Sequence, residues 1–107
     1  MFNMQKMLKQ VQKLQEDMAR VQEQLAQERV EASAGGGVVR AVANGRGDLV
    51  AITIDPSVVD PSDVSMLEDL VVVAAGEALR KARELAAERM KAVTGGLDIP
   101  GLPRLGA

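Results

Sequence analysis

The chain has 107 residues, which fits one domain. It contains no Cys, His, Trp or Tyr, and Phe2 is its single aromatic residue. That composition excludes disulfide frameworks, thiol nucleophiles, Cys- or His-based metal sites and aromatic platforms that stack bases. Thirteen Lys and Arg against fifteen Asp and Glu give a net charge of −2. Net charge alone therefore does not point to nucleic acid, and the distribution of charge decides. Met1 leads into a polar, amphipathic segment rather than an apolar signal region. The apolar run Leu70 to Gly76 is too short to cross a bilayer. The expectation is a soluble protein of a reducing compartment.

The first predicted element spans about Asn3 to Arg29. Met4, Met7, Val11, Leu14, Met18, Val21 and Leu25 recur at intervals of 3, 4, 3, 4, 3 and 4. This is an a/d heptad series, so the segment reads as a helix with a coiled-coil-like seam. The remaining positions are mostly Gln, Lys and Glu, which favour helix.

Strands follow. Val38 to Ala43 and Leu49 to Ile54 are rich in β-branched residues, and Asn44-Gly45 between them is a hairpin signal. A further strand is predicted at about Val30 to Ala34, and the three form an antiparallel meander. Gly35-Gly36-Gly37 lacks the Gly-Lys-Ser/Thr ending and following helix of a phosphate loop, so it reads as a turn. Arg46-Gly47-Asp48 reads as part of the hairpin turn rather than an adhesion signal.

Asp55-Pro56 and Asp60-Pro61 each join a capping residue to a Pro suited to a first helical turn. Asp60-Pro61-Ser62-Asp63 is predicted to open a second long helix that ends near Thr94, before Gly95-Gly96. Its apolar stripe is Leu67, Val71, Ala75, Ala78, Ala82, Ala86, Met90 and Val93. Leu70 to Leu79 carries one charge in ten residues, so this stretch needs cover on more than one side. Gly76 within it is either merely tolerated or marks close approach of another element. An obligate homodimer centred on this segment is expected. Residues 97–107 form a Gly/Pro-rich tail beyond a single domain over residues 1–96.

Two groups of cations are candidates for binding. Residues 1–15 hold Lys6, Lys9 and Lys13 and no acid, and Arg20 continues the line. The spacing puts them on one helical face. Such a row is either a solvated face or a set of contacts to successive phosphates. On the second helix, residues 60–77 hold five acids and no base. Residues 78–94 hold Arg80, Lys81, Arg83, Arg89 and Lys91 against Glu84 and Glu88. This polarity matches the helix dipole, and Glu77–Lys81 and Arg80–Glu84 have the spacing of ordinary helical ion pairs. The carboxylates form no pair suited to acid–base work, and four Ser without His make no nucleophile–base couple. No catalytic, cofactor or metal residue is expected.

In chain order come the Gln/Lys/Met-rich helix, Gly35-Gly36-Gly37-Val38-Val39, Asn44-Gly45 and Ile52-Thr53-Ile54-Asp55-Pro56-Ser57. Met66-Leu67-Glu68-Asp69-Leu70-Val71, Arg80-Lys81-Ala82 and Thr94-Gly95-Gly96-Leu97 follow. This order closely resembles the YbaB/EbfC family of bacterial nucleoid-associated proteins, over about Met4 to Leu97. The resemblance implies an α+β fold, with an α-β-β-β-α protomer and a small antiparallel sheet between two long helices. It further implies a tweezer-like homodimer in the cytoplasm, on the nucleoid. The implied partner is double-stranded DNA, bound with little sequence preference, with no membrane and no small-molecule substrate. Carried onto this chain, the DNA-binding candidates are Lys6, Lys9, Lys13 and Arg20 on the first helix and Arg80, Arg83, Arg89 and Lys91 on the second. The alternative reading is a coiled-coil clamp or adaptor for other proteins, which would use the Met/Leu seam of the first helix instead of its lysine face.

Overall fold

The computed structural model describes residues 3–95. Helix α1 spans Met4–Gln27, strand β1 Arg29–Ala34, β2 Val39–Asn44 and β3 Leu49–Ile54. A 3-10 turn over Pro56–Val58 leads to helix α2, Val64–Thr94. The sheet is antiparallel in the order β1-β2-β3, so the α-β-β-β-α meander expected above is present.

Local chemistry explains each boundary. Asn3 Oδ1 accepts a hydrogen bond from the Lys6 amide at 3.3 Å and caps α1. At the other end Glu28 is already extended, so α1 passes into β1 without a loop. Gly35, Gly36 and Gly37 have φ of 65°, 76° and 98°, a region open to glycine at no steric cost, and they make the β1–β2 turn. In the β2–β3 turn Asn44 Oδ1 accepts from the amides of Arg46 and Asp48 at 3.0 and 3.1 Å. Arg46-Gly47-Asp48 is thus turn chemistry, as read above.

The start of α2 corrects the sequence reading. Asp60 accepts from the Ser62 amide at 2.9 Å and from Ser62 Oγ at 2.7 Å, closing a separate turn. Asp63 is the cap of α2 instead, accepting from the Met66 amide at 3.3 Å. Asp60 carries the Asp-Pro signature but is engaged by Ser62, and Asp63, three positions on, takes the capping role. These bonds hold the Asp60 carboxyl below its ordinary value, chiefly through Ser62 Oγ. The Asp55 carboxyl is lowered in the same way, chiefly by the Ser57 amide. Helix α2 ends at Gly95, left-handed at φ 60°, where the glycine stop was expected. The tail predicted at residues 97–107 lies outside the described residues.

The core is made of small side chains. Ala74, Ala78 and Ala82 of α2 lie on Ala32 and Ala34 of β1 and on Val39, Ala41 and Ala43 of β2. Register explains the match: Ala32 pairs with Ala41 and Ala34 with Val39, so their side chains share one face. Methyl groups on both sides let the helix lie close to the sheet, and they leave no room for growth. Ala78→Leu is expected to cost at least about 1–3 kcal/mol by overpacking. For a domain of this size that lowers Tm by roughly 5 °C or more in a thermal melt.

Strand β3 is covered only at its end, where Ile54 packs against the core. Ile52 and Ile54 pair with Ala41 and Val39 and share their face, yet no residue of β3 is buried. The long helices overhang the sheet, and the chain measures 74 × 25 × 16 Å. Helix α1 is held at its base alone: Val21 and Leu25 are its buried residues, and the Gly45 amide donates to the Leu25 carbonyl at 2.8 Å. Residues 3–13 are exposed throughout.

Candidate nucleic-acid interface

The eight candidate cations fall into distinct settings. Lys6, Lys9 and Lys13 lie on the exposed outer half of α1. Among the described residues none of the three forms an ion pair. Lys6 stands in the first turn, at the positive end of the helix dipole, where like charge is slightly destabilising for the helix but adds to the attraction of an anion. Arg20 on the same line pairs with Asp17 at 3.3 Å.

On α2 the candidates divide. Arg80 is held between Glu77 and Glu84, so its guanidinium pKa is raised, chiefly by Glu77, and the Glu77 carboxyl is lowered, chiefly by Arg80. The Arg80–Glu84 pair was legible in the spacing. The expected Glu77–Lys81 pair is not formed. Lys81 Nζ instead donates to the Glu31 carbonyl of β1 at 2.9 Å, and Glu77 turns to Arg80. Arg89 is bound to Glu28 at the junction of α1 and β1. Arg83 is exposed, as is Lys91, and among the described residues neither forms an ion pair.

The fold brings some of these side chains together. Arg20 and Arg89, from different helices, line one cleft with Glu23, Gln24, Gln27 and Glu28. Arg46, read above only as a turn residue, sits beside Gln22, Glu23, Ala26 and Gln27 of α1. Its place was not legible because it depends on the hairpin tip docking at Leu25. Lys6, Lys9 and Lys13 lie farther out along α1. Among the described residues no group of three or more His, Cys, Asp or Glu is placed to hold a metal ion, and no helix is long and apolar enough to cross a membrane.

Comparisons with known proteins agree with this architecture. The YbaB/EbfC DNA-binding family matches residues 1–97. Nucleoid-associated protein Teth39_2199 of Thermoanaerobacter pseudethanolicus is 56% identical over 101 residues, 94% of this chain and 91% of that protein. A nucleoid-associated protein of Pelotomaculum thermopropionicum is 53% identical over 100 residues, 94% of this chain and 95% of that one. Among solved structures, the uncharacterized protein HP0035 from Helicobacter pylori superposes with a TM-score of 0.73 at 18% identity, covering 90% of this chain and 98% of that chain. That likeness shows a shared fold. The match over residues 1–97, together with relatives more than half identical along most of the chain, establishes that it belongs to the YbaB/EbfC DNA-binding family.

Proposed function

We propose that this chain is a nucleoid-associated, cytoplasmic protein that holds double-stranded DNA as a homodimer, through phosphates and with little sequence preference. The observation that carries the reading is the unpaired lysine face of α1 in a member of a DNA-binding family. From Lys6 to Arg20 the helix rises about 21 Å, at ~1.5 Å per residue. A DNA strand presents a phosphate about every 3.4 Å along its axis, so roughly six phosphates lie within that span. Lysine is a point charge without a planar fork, which suits phosphate contact better than base readout. Arg83 and Lys91, which form no ion pair among the described residues, extend the same role, while Arg20, Arg80 and Arg89 enter it only by giving up their carboxylate partners. The α-β-β-β-α unit over residues 1–96 is the functional unit in this reading.

The homodimer is supported by what the protomer leaves bare. Val72 and Val73 of α2 are 70% and 58% exposed, and Val50 and Ile52 of β3 are also open. A Cβ placed on Gly76 meets nothing within 4 Å, so no contact inside the protomer calls for glycine there. A partner lying across α2 and β3 would cover these residues and use the missing side chain. Apolar surface of this kind marks an association site.

The test is fluorescence anisotropy of labelled duplexes of unrelated sequence across a salt series. Three lysines on each of two arms make six contacts. They predict a slope near −5 in log affinity against log salt, and a loss on the order of 10³-fold between 50 and 200 mM. Absence of binding at 50 mM by folded protein overturns the reading, as does strong discrimination between sequences.

A further inference from the structure

The outer half of α1 carries an apolar stripe that nothing among the described residues covers. Met4, Met7, Leu8 and Val11 are all exposed, Met4 at 63%. They continue the stripe whose base, at Val21 and Leu25, is buried. A bare half-helix of this length is marginal in water, so the stripe calls for cover. We infer that the occupant is this chain's own C-terminal segment, residues 96–107, laid along α1 from its base toward Met4. The inference goes beyond the DNA-binding reading and uses neither the lysine face nor the α2/β3 surface. Residues 98–107 also lie past the family match, so the contact belongs to this chain rather than to the family.

Three observations choose that occupant. The first is position. Lys81 meets the Glu31 carbonyl and Arg89 meets Glu28, so α2 runs antiparallel to β1 and on toward α1. Arg89 also lines a cleft with Arg20, Glu23 and Gln24, so the last turns of α2 lie beside the base of α1. There α2 stops at Gly95, whose φ of 60° turns the chain off the helix axis. The segment that follows therefore starts at the foot of the open stripe. The second is reach. From Met18 to Met4 the stripe rises about 21 Å, at ~1.5 Å per residue. The twelve residues 96–107 can span up to about 40 Å, at ~3.3 Å each. The third is side-chain spacing. Ile99, Leu102 and Leu105 recur every three residues, and Pro100 and Pro103 between them favour the polyproline II backbone. That helix has three residues per turn and rises ~3.1 Å per residue, so the three apolar side chains line one edge at steps of about 9 Å. On α1, Met4 and Val11 lie seven residues apart, about 10 Å at ~1.5 Å per residue, so the two rows nearly match. Tethering presents the segment at a roughly millimolar effective concentration, so a weak contact suffices. Lys6, Lys9 and Lys13 lie on another face of α1 and stay open to phosphates.

The test is amide exchange on the full chain, wild type against the double variant Leu102→Asp/Leu105→Asp. Neither position belongs to the core, and circular dichroism checks that the variant is folded. Exchange over residues 4–13 is expected to quicken by on the order of tenfold or more in the variant, because the outer half of α1 loses its cover. Exchange over residues 74–82, in the core, is expected to stay the same. Sedimentation at the same concentrations is expected to give the same mass for both proteins. Equal exchange over residues 4–13 in the two proteins overturns the inference: slow in both means that something else covers the stripe, and fast in both means that nothing does. A lower mass for the variant also overturns it, since the segment would then join two copies instead of lying along its own helix. The outcome is independent of duplex binding, which is read separately by anisotropy.

Discussion

Replacing Lys6, Lys9 and Lys13 together by Gln is expected to abolish nearly all salt-dependent DNA binding. Each lysine that neutralises one phosphate adds about one to the salt slope, so six losses per dimer take the slope from near −5 toward zero. Affinity at 50 mM salt is expected to fall by at least ~10³-fold. The helix itself survives the change, because Gln and Lys have similar helix propensity. Removing positive charge from the first turns also relieves the clash with the dipole, so helicity is expected to hold or rise slightly. Arg80→Gln provides the contrast. Arg80 is occupied by Glu77 and Glu84, so its loss is expected to change the slope by less than one. A slope unchanged by the lysine replacement but lowered by Arg80→Gln would place DNA on α2 and refute the α1 assignment.

Leu25→Ala is expected to produce the largest loss of stability of any single truncation in α1. Leu25 is fully buried and is one of two side chains that fasten the arm to the body. Truncating a buried Leu costs about 2–5 kcal/mol, depending on how far the site collapses. Gly45 faces it: a Cβ there would lie 2.7 Å from Leu25 Cδ2 and 2.8 Å from the Leu25 carbonyl oxygen. Gly45→Ala is therefore expected to cost about 1–3 kcal/mol by overpacking. The two changes share a contact, so they should not add. In the Leu25→Ala background the Cδ2 clash is gone while the carbonyl remains. Gly45→Ala should then cost less than in the wild type, but still more than nothing. A double-mutant cycle in urea reads this coupling, and strict additivity would show that the hairpin tip does not bear on Leu25.

The pattern of apolar residues carried most of the fold. The unbroken heptads from Met4 to Leu25 specified α1, and the alternation in β2 and β3 with Asn44-Gly45 between them specified the hairpin. What escaped was competition between equivalent signals. Asp60-Pro61 reads as the helix start, but Ser62 Oγ engages Asp60 and leaves Asp63 to cap the helix. Lys81 had a partner at the right helical spacing and took a carbonyl fifty residues away instead. Arg89 and Glu28 are sixty-one residues apart, and nothing local announces their pair. The candidate lysines needed no tertiary knowledge, since a row of cations without nearby acids is a property of one helix. The division among the arginines did need it, because it depends on which carboxylates the fold delivers.

The absence of a loop between α1 and β1 has a mechanical result. Twenty-one residues of helix stand beyond Leu25 as far as Met4, about 31 Å at ~1.5 Å per residue. The arm has the geometry of a lever whose base is fixed by Val21 and Leu25, where Leu25 meets Gly45. A tilt of about 10° at that fulcrum swings the tip by roughly 5 Å, more than one phosphate step along a strand. Sub-ångström adjustments of packing in the body are thereby amplified at the tip. In the DNA-binding role proposed above, such a lever would let the arm follow the backbone it meets, whatever the local twist of the duplex.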